Sequence, residues 1–308
     1  MIAGLRPGRT HLESQTVIHA LVLSVGFGAI TFSVLALAAV GVTLQYGVTN
    51  YINFAYGAYI ALAAYIAWIA NVRLGINIWL AIAISALVMG LFSVVVSRAI
   101  LQPFARRNLP PVYLLMVTVG LNLVVTNAVV VVFGPDVKGF RLADETPANI
   151  GPFLFTTSQL LVIAISVATL SSVHLLLRRT RIGKAMRAMS DDVQLAQVSG
   201  INAEVIVTFT WLLSGFLVGL AGCVLALNFA SFAPWFGNDF LFVIFSAVIL
   251  GGIGQPYGTM LGALIIGMAT EVSAAVIDPS YKGDIAFVVL IIFIFFRPQG
   301  LIPARGRH

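Results

Sequence analysis

The chain has 308 residues, of which 60% are hydrophobic and only 9% charged, and its mean hydropathy is +1.02. That excludes a soluble globular domain, which runs nearer half apolar and a quarter charged. The formal charge of +6 does not mark a nucleic-acid binder, because the cations sit between long apolar runs, where membrane orientation accounts for them.

Residues 1–16 read as a polar tail, and the run 17–44 that follows is too long for the apolar core of a signal peptide, so it stays as a span. Further runs of spanning character fall at 54–70, 78–100, 112–133, 159–177, 205–228, 240–251, 258–277 and 285–296. The expectation is an all-α, polytopic helical membrane protein with about nine transmembrane helices, eight to ten being the defensible range. It forms one transmembrane domain over 17–297, with a polar tail at 298–308. The runs 240–251 and 285–296 are short for a bilayer that needs about twenty residues, so either can be broken or re-entrant. The one cysteine, Cys223, lies inside an apolar run and offers neither an intramolecular disulfide nor a thiolate metal site.

The loops set the orientation. Arg98, Arg106 and Arg107 mark one cytoplasmic loop, the segment 178–202 a second, and Arg297, Arg305 and Arg307 put the C-terminus inside. The acid-containing loops 134–151 and 278–284 then face out. Counting back places the N-terminus outside, against the statistical trend, since it carries Arg6 and Arg9.

The first irregular stretch, Q-Y-G-V-T-N-Y-I-N-F-A-Y-G-A-Y over 45–59, offers Asn50, Asn53, Tyr56 and Gly57 beside a span. It is either part of a solute path or an interfacial loop with an aromatic belt. In the fourth span Thr118, Asn122 and Thr126 recur at helical spacing, and Asn127 adjoins them. They line a path or hold helices together, with the second reading favoured.

Segment 178–202 is the longest polar interval between spans. It sets Arg178, Arg179, Arg181, Lys184 and Arg187 against Asp191 and Asp192, a net charge of +3. Ile182, Ala185, Met186, Met189, Val193 and Ala196 recur every three or four residues, which describes one helical face. Asp191 with Gln194 resembles a capping box, and Gly200 terminates a helix ending near Ser199. A folded amphipathic element in the cytosol is a surface for a partner.

Further on, Gly215/Gly219 and Gly258/Gly262 are G-x-x-x-G pairs that favour close helix packing. I-L-G-G-I-G-Q-P-Y-G-T-M-L-G over 249–262 cannot hold a regular helix through Gly251, Gly252, Gly254, Pro256 and Gly258. It is a broken segment at membrane depth or a tight cytoplasmic turn. It is not a phosphate loop: G-x-x-x-x-G-K-[ST] occurs nowhere, and no nucleophile–base pair or metal spacing points to an enzyme. Ionisable groups within spans are nearly absent, Glu271 and His174 being the exceptions. An ion-coupled carrier needs buried acids or bases as relays, so the energy for transport comes from elsewhere.

Three stretches together resemble the permease subunits of ATP-binding-cassette importers for branched-chain amino acids. They are Asn53-Phe54-Ala55-Tyr56-Gly57; Thr180-x-x-Gly183-x-x-x-Arg187-Ala188 leading to Ala196-x-x-x-Gly200-Ile201; and Gly251-Gly252-x-Gly254-x-x-x-Gly258. The likeness extends from about residue 20 to Arg297-Pro298-Gln299-Gly300-Leu301. One departure is Tyr56, where relatives often carry histidine. The resemblance implies a subunit in the inner membrane of a bacterium that provides the path for branched-chain or other small hydrophobic amino acids. It implies as partners two ATPase subunits, a homologous second permease and an extracytoplasmic solute-binding protein, within membrane lipid. ATP would be bound by partner subunits, with no cofactor in this chain. Ile182, Gly183, Ala185, Met186, Arg187, Met189, Asp191, Val193, Ala196 and Gly200 would form the ATPase-docking element. Asn50, Asn53, Tyr56, Gly57, Asn122, Thr126, Gly251, Gly252, Gly254 and Gly258 are the candidates for the translocation path. The alternatives are a self-sufficient secondary transporter or channel, and a related permease for urea or short amides.

Overall fold

The computed structural model describes residues 8–107, 110–142, 148–150, 153–275 and 277–302, with side chains of the first helix described from Leu23 onward. Arg6, Arg305 and Arg307, and most of the tail 298–308, lie outside the described residues.

In chain order the helices are α1 (Gly8–Thr49), α2 (Tyr56–Trp68), α3 (Ile78–Val96), α4 (Gln102–Ala105) and α5 (Pro111–Phe133). After the short strands β1 (Ala148–Ile150) and β2 (Phe153–Phe155) come α6 (Thr157–Arg179), α7 (Arg181–Asp191), α8 (Val193–Val198) and α9 (Ala203–Phe229). The chain closes with α10 (Phe236–Gly251), α11 (Pro256–Ala274) and α12 (Lys282–Phe296). A π-helical turn extends α2 over Ile69–Arg73, and another joins α3 to α4 over Ser97–Leu101. The strands form one antiparallel hairpin, pairing Ala148 with Phe155 and Ile150 with Phe153.

Among the described residues, seven helical stretches are long and apolar enough to cross a membrane alone. Two more apolar helices, α2 with its π-turn and α10, bring the total to the nine expected runs. The short ones are not quite those the sequence indicates. The last run gains length from a 3-10 turn at Pro279–Tyr281 and spans over Pro279–Phe296, whereas α2 starts late.

The core is built on α1 and α9, the most buried spans, with 72% of each apolar window inside the protein. α1 packs against α11 and α9, and α9 against α3 and α2. Small residues let these backbones approach. A Cβ on Gly219 would stand 2.6 Å from Ala86 Cα, and one on Gly222 would reach the Ile60 carbonyl. This is the packing role expected of the Gly215/Gly219 pair. By contrast α5, α6 and α12 bury little of their apolar surface in this chain.

The basic loops gather at one end. Arg106 pairs with Glu204 at 3.4 Å, which sets the end of α4 beside the start of α9. Leu301 and Ile302 donate backbone hydrogen bonds to Leu250 and Gly251 carbonyls (2.9 and 3.2 Å), so the C-terminal segment meets the end of α10 there too. The positive-inside rule makes this the cytoplasmic end. The hairpin lies at the other end, where Gly26 of α1 packs against Phe153 and Phe155. α1 therefore runs from the outer to the cytoplasmic end in one crossing, and its helix begins at Gly8, well before the apolar run.

Candidate functional site

The two irregular stretches fold differently, and each builds one part of the site. α1 stops at Thr49, where Asn50 adopts a left-handed conformation (φ 60°) and donates its N–H to the Tyr46 carbonyl at 2.8 Å. The chain then turns back into the bundle without helical hydrogen bonding. α2 starts only at Tyr56, beside the middle of α9: the Tyr56 hydroxyl donates to the Ser214 carbonyl at 3.4 Å, and Ile60 lies against Gly222. A helix beginning at this depth exposes backbone N–H groups where water cannot satisfy them.

The polar stripe of α5 meets that need. Thr118 Oγ1 accepts from Phe54 N (3.3 Å), and Asn122 Oδ1 accepts from Ala58 N (3.1 Å). Asn53 Oδ1 accepts from Ala55 N at 3.0 Å, and Asn53 Nδ2 donates to Gln45 Oε1 at 3.4 Å. One turn along α5, Thr126 Oγ1 accepts from Asn238 Nδ2 (3.2 Å) in the first turn of α10. Gly57 makes room for this meeting, since a Cβ there would stand 3.0 Å from the Gly237 carbonyl oxygen and 2.6 Å from Asn238 Oδ1. Two helix N-termini, those of α2 and α10, thus converge inside the bundle and are tied to one helix. Asn238 Oδ1 and Gln45 Nε2 are buried with no partner among the described residues.

Of the two roles open to Thr118, Asn122 and Thr126, the bonds they make are those of residues holding helices together. Asn53, Gly57, Asn122 and Thr126 come together as one cluster. Tyr56 points away from it, its hydroxyl lying between Gly41 and Ser214, and Asn50 sits apart at the end of α1. Asn127 bonds only within its own helix, to the Leu123 carbonyl. Asn238 and Gln45 do not stand out in the sequence, though an Asn–Asp pair opening a short apolar run was the available signal.

The glycine stretch is a tight turn at the cytoplasmic end, not a break at depth. α10 ends at Gly251, Gly252 and Gly254 take φ of 106° and 85°, and α11 begins at Pro256. Gly251 and Gly258 touch backbone to backbone. None of these four glycines joins the Asn122 cluster.

This turn faces α7. An open cavity of about 420 Å³ separates them, lined by Gly47, Lys184, Arg187, Asp191, Gly254 and Tyr257 among others. α7 starts with Thr180, whose hydroxyl accepts from Gly183 N at 3.0 Å, and Gly183 lies directly on the Leu176 and Leu177 backbone. Met186 and Met189 are buried beneath it, while Arg181, Ile182, Lys184 and Arg187 are exposed, Lys184 and Arg187 at the open edge of this cavity. The expected single helix over this segment is in fact two. The cap is Asp192, not Asp191: its carboxylate accepts from Leu195 N at 2.9 Å and its extended backbone breaks the phase. Beyond the break Ala196 turns inward, whereas Val193, Leu195 and Val198 are exposed, the last two to 65% and 87%. Leu195 and Val198 escape a reading of the sequence because a continuous helical phase does not put them on the apolar face. Gly200 closes α8 with φ 87°. His174 Nδ1 and the Tyr257 hydroxyl pair at 2.9 Å, linking α6 to α11 at the same end.

At the outer end Glu271 is a clamp between three helices. Its Oε1 accepts from Thr31 Oγ1 of α1 and its Oε2 from Lys282 Nζ of α12, both at 2.7 Å. Nearby, the backbone N–H and hydroxyl of Ser280 hold the exposed Asp278 carboxyl below the usual carboxylate range. Among the described residues, no cluster of three or more His, Cys, Asp or Glu could hold a metal ion.

The family model described as branched-chain amino acid transport system / permease component matches residues 24–294. The chain belongs to this family. It is a permease component, multi-pass in the inner membrane. The permease is 30% identical to the high-affinity branched-chain amino acid transport system permease protein BraD of Pseudomonas aeruginosa, over 88% of this chain and 92% of that one. It is 29% identical to the probable branched-chain amino acid transport permease protein LivH of Methanocaldococcus jannaschii, over 89% and 90% of the two chains. Among solved structures it resembles in fold a chain of PsaBC from Streptococcus pneumoniae in complex with Fab, with a TM-score of 0.53 and 15% identity over 90% of this permease and 92% of that chain.

Proposed function

We propose that this permease works in an ATP-driven importer, carrying branched-chain or other small hydrophobic amino acids delivered by an extracytoplasmic binding protein. In the assembly it would stand beside a homologous second permease, with two ATPase subunits beneath. The observation that carries the reading is the surface of α7 and α8. Leu195, Val198, Val193 and Ile182 are apolar, exposed and at the cytoplasmic end. Exposed apolar side chains of that kind, on the same short segment as the exposed Arg181, Lys184 and Arg187, fit a protein partner. The buried side of α7 supports the same reading, because it rests on α1 and α6 and faces the α10–α11 turn. A push on α7 would therefore bear on α1 and α6, and on the turn that ends α10.

The test is copurification of the ATPase subunits with variants of α7 and α8. Arg187→Glu reverses a charge on the exposed rim and is expected to lower ATPase recovery about tenfold. Gly200→Pro cannot adopt the positive φ that ends α8 and is expected to do the same while membrane insertion stays intact. Normal recovery of the ATPase with both variants would remove the docking role.

A further inference from the structure

We infer that the outer half of this chain holds a binding site for a free amino-acid zwitterion with an aliphatic side chain, in the cavity between α1, α9, α10, α11 and α12. The substrate class rests on the importer reading, but the site is argued from its own geometry. The cavity is open, with a volume of about 600 Å³, inside the range of about 300–1,000 Å³ typical of small-molecule sites. Its apolar wall comes from Val34, Leu225, Phe236, Phe240 and Val243. Three ionisable groups stand on its rim: Asp239, Glu271 and Lys282.

These charges are not equivalent. Both oxygens of Glu271 are occupied, one by Thr31 and the other by Lys282. Asp239, in the first turn of α10, is exposed and has no hydrogen bond or ion pair to its side chain among the described residues. An exposed carboxylate on the wall of an open cavity is free to accept a cationic group. Register places Asp239 near Lys282. Phe242 of α10 and Phe287 of α12 pack with ring centroids 6.1 Å apart, and one helical turn outward from them stand Asp239 and Gly283, next to Lys282. Lys282 donates one N–H to Glu271 and keeps two for another acceptor. Within one cavity there is thus a free carboxylate for an ammonium, a lysine with spare donors for a carboxylate, and an apolar wall for the side chain. No proton or bond needs to move for binding.

The test is saturable binding of tritiated leucine to the purified permease-containing complex in nanodiscs, without binding protein and without nucleotide. The unmodified complex is expected to bind leucine. Asp239→Asn is expected to weaken binding about tenfold or more, as loss of a charge-assisted hydrogen bond does. Asp239→Glu retains the charge and should recover most of it. Val243→Trp fills the cavity and is expected to abolish binding whatever the fate of the Asp239 variants, with recovery of the intact complex as the check on folding. No saturable binding by the unmodified complex, or binding by Asp239→Asn or Val243→Trp as tight as that of the unmodified complex, would overturn the proposal. Failure of the importer reading shows elsewhere, as absence of ATP-dependent uptake by a complex that still binds leucine.

Discussion

The segments 45–59 and 249–262 look alike in sequence, since each interrupts apolar runs with glycine and small polar residues. They fold into opposite things. The first enters the bundle and lets α2 start at depth, whereas the second stays at the cytoplasmic end as a turn between α10 and α11. What separates them is a neighbour. The first has Thr118 and Asn122 on α5 in register with its open N–H groups. The second satisfies its backbone locally, Gly252 N reaching the Val248 carbonyl at 3.0 Å and Gln255 N the Gly252 carbonyl at 3.1 Å. A broken backbone inside a membrane protein thus needs polar side chains from another helix, and a turn at the aqueous end does not.

Substitutions can break this contrast. The largest effect is expected at Gly251→Leu or Gly258→Leu. Each puts a side chain where two backbones touch, a Cβ on Gly251 already standing 2.5 Å from Thr259 Cα. Overpacking there costs about 1–3 kcal/mol or more, and loss of the monodisperse protein on size exclusion in detergent is the readout. Next comes Asn122→Leu, which removes the acceptor for Ala58 N and leaves a buried donor unpaired at about 1–3 kcal/mol. Thermal unfolding in detergent should show it clearly, while Gln255→Ala in the turn should change little. Equal shifts for the two would mean that α5 does not hold α2. The smallest effect is expected at Asn50→Gly. Relieving a left-handed φ of 60° should raise stability, by no more than about 1–2 kcal/mol, and a fall in the unfolding temperature would show that the asparagine side chain itself is needed.

The same contrast explains what could be read from the chain alone. The nine apolar runs, the close-packed glycines and the basic end follow from composition and spacing, which are local. Thr118, Asn122 and Thr126 were visible as a stripe, but their partners were not: Ala58 lies 64 residues away and Asn238 lies 112 residues away. Likewise the isolated Glu271 gains meaning only from Thr31, 240 residues earlier in the chain. The segment 178–202 was legible as amphipathic, yet its outward apolar residues depend on the break at Asp192. There one carboxylate caps a new helix and resets the phase, and an acid next to it, Asp191, made the cap ambiguous by one position.

The most direct measurement is leucine uptake into proteoliposomes holding the complete complex with its binding protein, with ATP inside and proton and sodium gradients collapsed by ionophores. Uptake should persist under those conditions and stop when ATP is withdrawn. Uptake that continues without ATP and follows an imposed ion gradient would contradict the account, because it would make this chain a carrier in its own right.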